Sequence, residues 1–495
     1  MVMLAMSQNG HAIPRIEIYD IYEVKLKGPR DGNPYKDVAL SAVFEHEETV
    51  HRVNGFYDGN GIYIIRFMPN LIGKWSFETS SNVDRLNKKR GKINCIEASE
   101  GNHGMVRVSN TFHFKYDAGT QFYPIGTTSY AWIHQGDDLE NKTLETLKNS
   151  PFNKIRMCVF PKWYPWNKVE PEHYPYAGTA PDQWDFFRFN PEFFHHLETR
   201  IAQLRDLGIQ ADLIIFHPYD YGHWGFDRMT DEQDDFYLRY LIARLGAYRN
   251  VWWSLANEFD FMKEKEDDDW DRFFEILSEE DPYQHLRSIH NGARWYDHSK
   301  PWVTHASIQS DTYPVRDWRE TYHKPVIVDE CKYEGNIRYL WGDLTAIDMT
   351  HRFWDAVTRG GYATHGETYM HDNDILWWSK GGILHGESPQ RIAFLKKIIS
   401  EAPDGGFEPF MEVTDSWNRR NAVRVGDDYI LVYFGERQPI EREIIFPEQK
   451  TYRVEIIDIW NMTVSPHGKL YSGKSLVPLP GKPYIALRAI RVENE

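Results

Sequence analysis

Val251-Trp252-Trp253-Ser254-Leu255-Ala256-Asn257-Glu258 and Pro325-Val326-Ile327-Val328-Asp329-Glu330 are the stretches on which the reading of this chain turns. Each is an apolar run of strand length that ends on a carboxylate. Unbroken apolar runs belong to strands covered on both faces, as in a parallel sheet wrapped by helices. Six more such runs complete a set of eight: Tyr123–Gly126, Lys154–Phe160, Ala211–Phe216, Leu286–His290, Trp302–Ala306 and Tyr362–His365. Several segments between them have helical periodicity. Pro191–Leu207 lines up Phe194, Leu197, Ile201 and Leu204 and stops at Gly208; Asp231–Tyr248 opens on an acidic turn; Leu344–Thr358 runs up to Gly360-Gly361. Eight strands alternating with helices over about 290 residues is the size and order of a (β/α)8 barrel. Asn291–Pro301 is short for a helix and is the weakest link in the count. A doubly wound open sheet is the structural alternative, but no glycine-rich fingerprint follows a strand.

Outside these runs the rhythm is different. Up to about Phe112 residues alternate in the manner of half-buried strands, as in Ile62-Tyr63-Ile64-Ile65-Arg66-Phe67, with turn signals such as Asp58-Gly59-Asn60-Gly61 between them. After about Pro403 the same rhythm returns in Asp428–Phe434, Glu443–Phe446, Tyr452–Ile459 and Tyr484–Ile490. A chain of 495 residues is too long for one hydrophobic core. The expected architecture is α/β: residues 1–112 an N-terminal Ig-like β-sandwich, 113–403 a (β/α)8 TIM barrel, and 404–495 a small C-terminal β-sandwich.

Composition narrows the function. The net charge is −16, with no basic run interleaved with aromatics, which argues against a nucleic-acid partner. No stretch approaches the roughly 18 apolar residues of a membrane span. Met1–Gly10 lacks a charged start and a long apolar core, so no secretory signal is expected. Cys95, Cys158 and Cys331 are odd in number, far apart and without metal-ligand spacing, which fits a reducing cytoplasm. Adjacent His195-His196 would point to different helix faces, so no metal site and no cofactor are expected. A homo-oligomer is left open. Aromatic residues reach 15%, including 18 Trp; sugar clefts use such rings, because the C–H face of a pyranose packs on them.

In a parallel barrel the active site lies at the strand C-terminal ends. Glu258 and Glu330 end the fourth and seventh strands, about 72 residues apart in sequence and across the barrel mouth. A glutamate after a strand is most often a solvated loop residue, but two at these positions, one preceded by Asn257, form the pair that glycoside hydrolysis needs. Asn257 can bind the sugar 2-hydroxyl. Glu367 and Asp260 are rival second acids. A separation of about 5 Å means retention and about 6.5–9.5 Å inversion; a glycan-binding barrel without catalysis is a further alternative. Trp163, Tyr164, Trp166 and Trp184 occupy a long loop after the second strand, and Trp377-Trp378 another after the eighth. Loops of that length are commonly functional; ordinary packing over the barrel mouth competes evenly. Long loops here point to a closed pocket and exo action on short plant-derived oligosaccharides. Cys331 reads as a buried filler, and the acidic run Glu264–Asp269 as a solvated helix start.

Trp253-Ser254-Leu255-Ala256-Asn257-Glu258 followed by Val328-Asp329-Glu330 resembles glycoside hydrolase clan A. The resemblance implies Glu258 as acid/base and Glu330 as nucleophile in a retaining reaction. It also implies Arg156 as support for the nucleophile, His217 as a polar residue near the reacting sugar, and His305 or Tyr313 beside Glu330. The clan places a Trp at the end of strand eight, where this chain has His365-Gly366-Glu367-Thr368. Phe122-Tyr123-Pro124-Ile125-Gly126-Thr127-Thr128 resembles the entry of apiosidase-like barrels, and Phe56–Pro69 with Gly73-Lys74-Trp75 resembles a sandwich that precedes bacterial carbohydrate-active barrels.

Overall fold

The structure, a computed structural model, describes residues 13–371, 375–412 and 421–492. The barrel strands are β1 (Gly126–Thr128), β2 (Lys154–Cys158), β3 (Gln210–Phe216), β4 (Val251–Ala256), β5 (Arg287–Ser288), β6 (Ala306–Gln309), β7 (Val326–Glu330) and β8 (Tyr362–His365). They form one sheet in the order β5-β4-β3-β2-β1-β8-β7-β6. A parallel bridge from His290, just past β5, to Ser307 in β6 joins the two ends of that order. This is the (β/α)8 TIM barrel. Helices α1 (Asp137–Lys148), α2 (Pro191–Asp206), α3 (Asp231–Leu245), α4 (Asp267–Glu280), α5 (Val315–Tyr322), α6 (Ala346–Thr358) and α7 (Ser388–Ser400) connect or follow the strands. Among the described residues no helix lies between β5 and β6.

Local signals explain the helix starts. Asn190 caps α2 ahead of a first-turn proline, Thr230 and Gln233 form a capping box on α3, and Thr345 and Asp348 do the same on α6. Two strands lie later than expected. The first is Gly126–Thr128, not Tyr123–Gly126, and the sixth is Ala306–Gln309, not Trp302–Ala306. In both places apolar residues mark covered chain leading into the barrel, and burial alone does not distinguish such a lead-in from a paired strand.

The chain divides into two compact units. One comprises residues 1–106, 116–118 and 158–287, the other 107–115, 119–157 and 288–495. In the first, an N-terminal sandwich packs two sheets over Ala42, Phe44, Phe67, Trp75 and Ile93. Buried Arg66 of that sandwich donates to Glu198 of α2 at 2.8 Å, and Arg244 of α3 donates to the same carboxylate at 2.6 Å. Burial would raise the Glu198 pKa, but the two guanidinium groups hold it below its ordinary value. In the second unit one hydrophobic cluster runs from Ile308, Val326 and Val328 through Phe353, Ile392 and Leu395 to Val423, Tyr429, Leu431 and Ile457 of the C-terminal sheet. No helix of the described residues is long and apolar enough to cross a membrane.

Candidate active site

Glu258 follows β4, which is buried along its whole length. Both indoles of the strand are anchored: Trp252 Nε1 donates to Gln210 at 3.2 Å and Trp253 Nε1 to Asp281 Oδ2 at 3.0 Å. β3 and β4 pair in register from Ala211–Val251 to Phe216–Ala256, so they end level. The chain then turns sharply, with Glu258 at φ 50°, a left-handed conformation rarely adopted by residues other than glycine. Such outliers cost roughly 1–3 kcal/mol and gather at functional sites. The Glu258 carboxylate accepts from Asn257 Nδ2 at 3.2 Å and from the Tyr219 hydroxyl. Tyr219 lies two residues past His217. His217 accepts the Tyr219 N–H at Nδ1 (3.1 Å) and sets Nε2 against the Phe160 carbonyl, also at 3.1 Å. These partners make His217 a brace for the tyrosine. Tyr219 also lines an open cavity of about 570 Å³ with Tyr221, Asp260 and Phe261. Next to it, Trp163 stacks on His223 at 3.8 Å between ring centroids and lines a cleft of about 430 Å³ with Tyr164 and Tyr221.

Glu330 ends β7. β6 and β7 shift register between Ile308 and Gln309, so that Gln309 pairs with Glu330 and Asp329 is skipped. Strict alternation would send Asp329 and Glu330 to opposite faces; a bulge frees the second from that rule. The Glu330 carboxylate accepts from the Tyr130 hydroxyl, and Tyr333 also donates to it. Burial pushes the Glu330 carboxyl up to about 8, and the Tyr333 hydroxyl opposes the rise. The resemblance sets Arg156 in support of the nucleophile. Arg156 is fully buried, with Nη1 3.1 Å from Ser307 Oγ and 3.3 Å from Asp329 Oδ2. Lys154 Nζ lies 2.7 Å from Asp329 Oδ1, and Ser307 and Thr364 also donate to that carboxylate. Burial would raise the Asp329 pKa, but Lys154 and Arg156 overcome it and keep the carboxylate ionised. The pair thus packs on the residue that precedes Glu330.

Other expected residues distribute as follows. The Trp378 ring packs 5.6 Å from both Tyr130 and Tyr333. Backbone bonds tie its segment to the end of β1, Tyr130 N to Trp378 O at 3.0 Å and Ala131 N to Ser379 O at 2.9 Å. Trp377 turns away and is buried, with Nε1 donating to Thr127 Oγ1 at 3.0 Å, so it belongs to packing. His305 precedes β6 and does not follow it. It lies buried at the strand's N-terminal end against Phe114, and the late start of β6 is the reason. Tyr313 is 70% exposed, with the Arg359 guanidinium over its ring. The hydroxyls beside Glu330 come from Tyr130 and Tyr333 instead. Glu367 is buried, its carboxylate accepting the N–H groups of His385 and Gly386. Tyr130, Tyr219 and Tyr333 were not foreseen; the available signal was a tyrosine within a few residues of a barrel strand's C-terminal end.

A family profile described as apiosidase-like, catalytic domain, matches residues 109–419. The chain belongs to the apiosidase-like family. Family and fold together make this apiosidase-like protein a glycoside hydrolase of the clan A architecture. Domains of unknown function, DUF5060 and DUF5605, match residues 15–82 and 412–490. A crystal structure of a candidate glycoside hydrolase from Bacteroides vulgatus is 41% identical, with a TM-score of 0.91 over 97% of this chain and 100% of its own. A glycoside hydrolase family 5 protein from the same organism shares the fold, at 15% identity and a TM-score of 0.59 over 78% of this chain and 94% of its own. Among curated proteins none matches.

Proposed function

We propose that this apiosidase-like enzyme hydrolyses glycosides with retention of configuration, Glu258 serving as acid/base and Glu330 as nucleophile. The observation that carries the reading is a shared construction. Each glutamate stands at the C-terminal end of a buried parallel strand, and each carboxylate accepts from tyrosine hydroxyls on a neighbouring loop. Glu258 protonates the leaving oxygen while Glu330 attacks the anomeric carbon; Glu258 then takes a proton from the water that breaks the glycosyl ester. Asn257, bonded to Glu258, stands where it can bind the 2-hydroxyl of the sugar. Trp378 supplies an apolar face beside Glu330, and Trp163 one in the outer cleft. Short plant-derived oligosaccharides attacked from one end are the proposed substrates. Three segments, 1–112, 113–403 and 404–495, are the proposed domains. A cytoplasmic setting is supported by three cysteines that are all buried and form no disulfide.

One observation favours a reversed assignment. A carboxyl pushed up to about 8 is protonated at neutral pH, as a general acid should be. Azide rescue separates the two. With Glu330 as nucleophile, azide restores turnover of an activated aryl glycoside by Glu330→Ala and gives the inverted glycosyl azide. Glu258→Ala accumulates the glycosyl-enzyme and, with azide, gives the retained product. The opposite pattern of anomers reverses the roles, and full activity in both variants removes the site.

A further inference from the structure

Outside this machinery, the loops after β7 and β8 meet in a small two-stranded pairing, Glu334–Gly335 with Glu367–Thr368. Glu334, His365 and Glu367 are all buried there, and one ligand atom from each lies within 4.8 Å of the other two. The carboxylates are held in place by backbone. Glu367 accepts from His385 and Gly386 N–H, and Glu334 from Glu387 and Ser388 N–H at 2.9 and 3.2 Å. The packing is close enough that a Cβ on Gly386 would stand 2.5 Å from Glu334 Oε2. Glu334 also accepts from the Tyr369 hydroxyl at 3.3 Å.

The imidazole is a separate observation. His365 Nδ1 faces Thr127 Oγ1 at 3.1 Å, while the buried Nε2 has no hydrogen-bond partner. With Nδ1–H donating to Thr127, Nε2 carries the lone pair, the arrangement in which protein imidazoles bind metals.

We propose that Glu334, His365 and Glu367 form a binding site for one divalent transition-metal ion of the Zn²⁺ class. An imidazole with two carboxylates suits such an ion better than Ca²⁺ or Mg²⁺, which prefer all-oxygen shells. Ligand distances of about 2.0–2.2 Å need donors about 3.5 Å apart, so the three side chains draw together when the ion binds. The ion joins the end of β8 to the residue after Tyr333, and so holds the tyrosine that donates to Glu330. Its role is bracing, separate from the proposed hydrolysis.

The test uses the full chain, stripped with chelator and titrated calorimetrically with ZnCl2, MnCl2 and CaCl2. The expected result is one tightly bound Zn²⁺ per chain, no comparable binding of Ca²⁺, and a raised Tm. His365→Gln and Glu367→Gln should each weaken Zn²⁺ binding by more than about 100-fold, beyond the 10- to 100-fold typical of groups outside the ligand set. X-ray absorption on the wild-type protein gives a readout that survives a variant's failure to fold: one imidazole and otherwise oxygen donors. Sub-stoichiometric binding, unchanged affinity in folded variants, or a shell with no imidazole or with several would overturn the site. Either result leaves the azide experiment on Glu258 and Glu330 untouched.

Discussion

Tyr130 and Tyr333 donate to Glu330 directly, and Trp378 packs on both. If Glu330 attacks as a carboxylate, kcat/KM of the free enzyme rises with pH as its carboxyl, pushed up to about 8, ionises. The Tyr333 hydroxyl favours the ionised form. Tyr333→Phe should therefore move the acid limb of the pH–rate profile to still higher pH, and an unmoved limb would separate Tyr333 from Glu330 function. The adjacent tryptophans make a second contrast. Trp378 is buried as well but packs on the tyrosines that bond Glu330, so Trp378→Ala should raise KM as well as cost stability. Trp377→Ala empties a buried site and should cost stability, about 3–5 kcal/mol by the usual range for such truncations. Thermal melts and kinetics on the pair distinguish them; equal effects on KM would return both to one role. From sequence the two were indistinguishable neighbours, because a four-residue helical turn, Trp377–Lys380, decides which one faces Glu330.

At the scale of the element, β4 is held from behind by Asp281. Its carboxylate accepts from Trp253 Nε1, from Tyr283 N–H at 3.0 Å, and from His285 N–H and Nδ1, both at 2.8 Å. Burial opposes ionisation, but His285 and the N–H donors lower the pKa from 3.8 to about 2. A depressed carboxyl pKa stabilises the folded state above the unfolded value, so this contribution is present above pH 3.8 and is lost as pH falls toward 2. Asp281→Asn should lower stability at neutral pH by about 1–3 kcal/mol and flatten the acid dependence over that window. Denaturant melts from pH 5 to pH 2 check it, and an unchanged acid slope would refute the linkage. Apolar runs in the sequence placed β4 and β7 to the residue or nearly so. They misplaced β1 and β6 because chain entering a barrel is as apolar as the strand itself, and only hydrogen-bond partners far along the chain say where pairing begins.

At the scale of the whole molecule, the hydrophobic cluster that covers β6 and β7 continues without a break into the C-terminal sheet. A chain ending at residue 403 would expose Phe353, Ile392 and Leu395 where Val423, Tyr429 and Leu431 now cover them. We expect that truncation to be insoluble or to melt well below the full chain; a soluble barrel of unchanged Tm would make the C-terminal segment an independent module. Reading the sequence alone settled the barrel and the flanking β segments and put two glutamates at strand ends, because strand length, helical period and a carboxylate at a strand end are local properties of the chain. Only the tertiary structure decided the company those glutamates keep. Tyr130 reaches Glu330 across 200 residues of sequence and Tyr219 reaches Glu258 across 39. Arg156 is turned to Asp329, and the Glu367 carboxylate is taken up by the backbone at residues 385 and 386. Which face a side chain takes at a bulge, and which distant loop fills the space beside it, depends on contacts that no local pattern encodes.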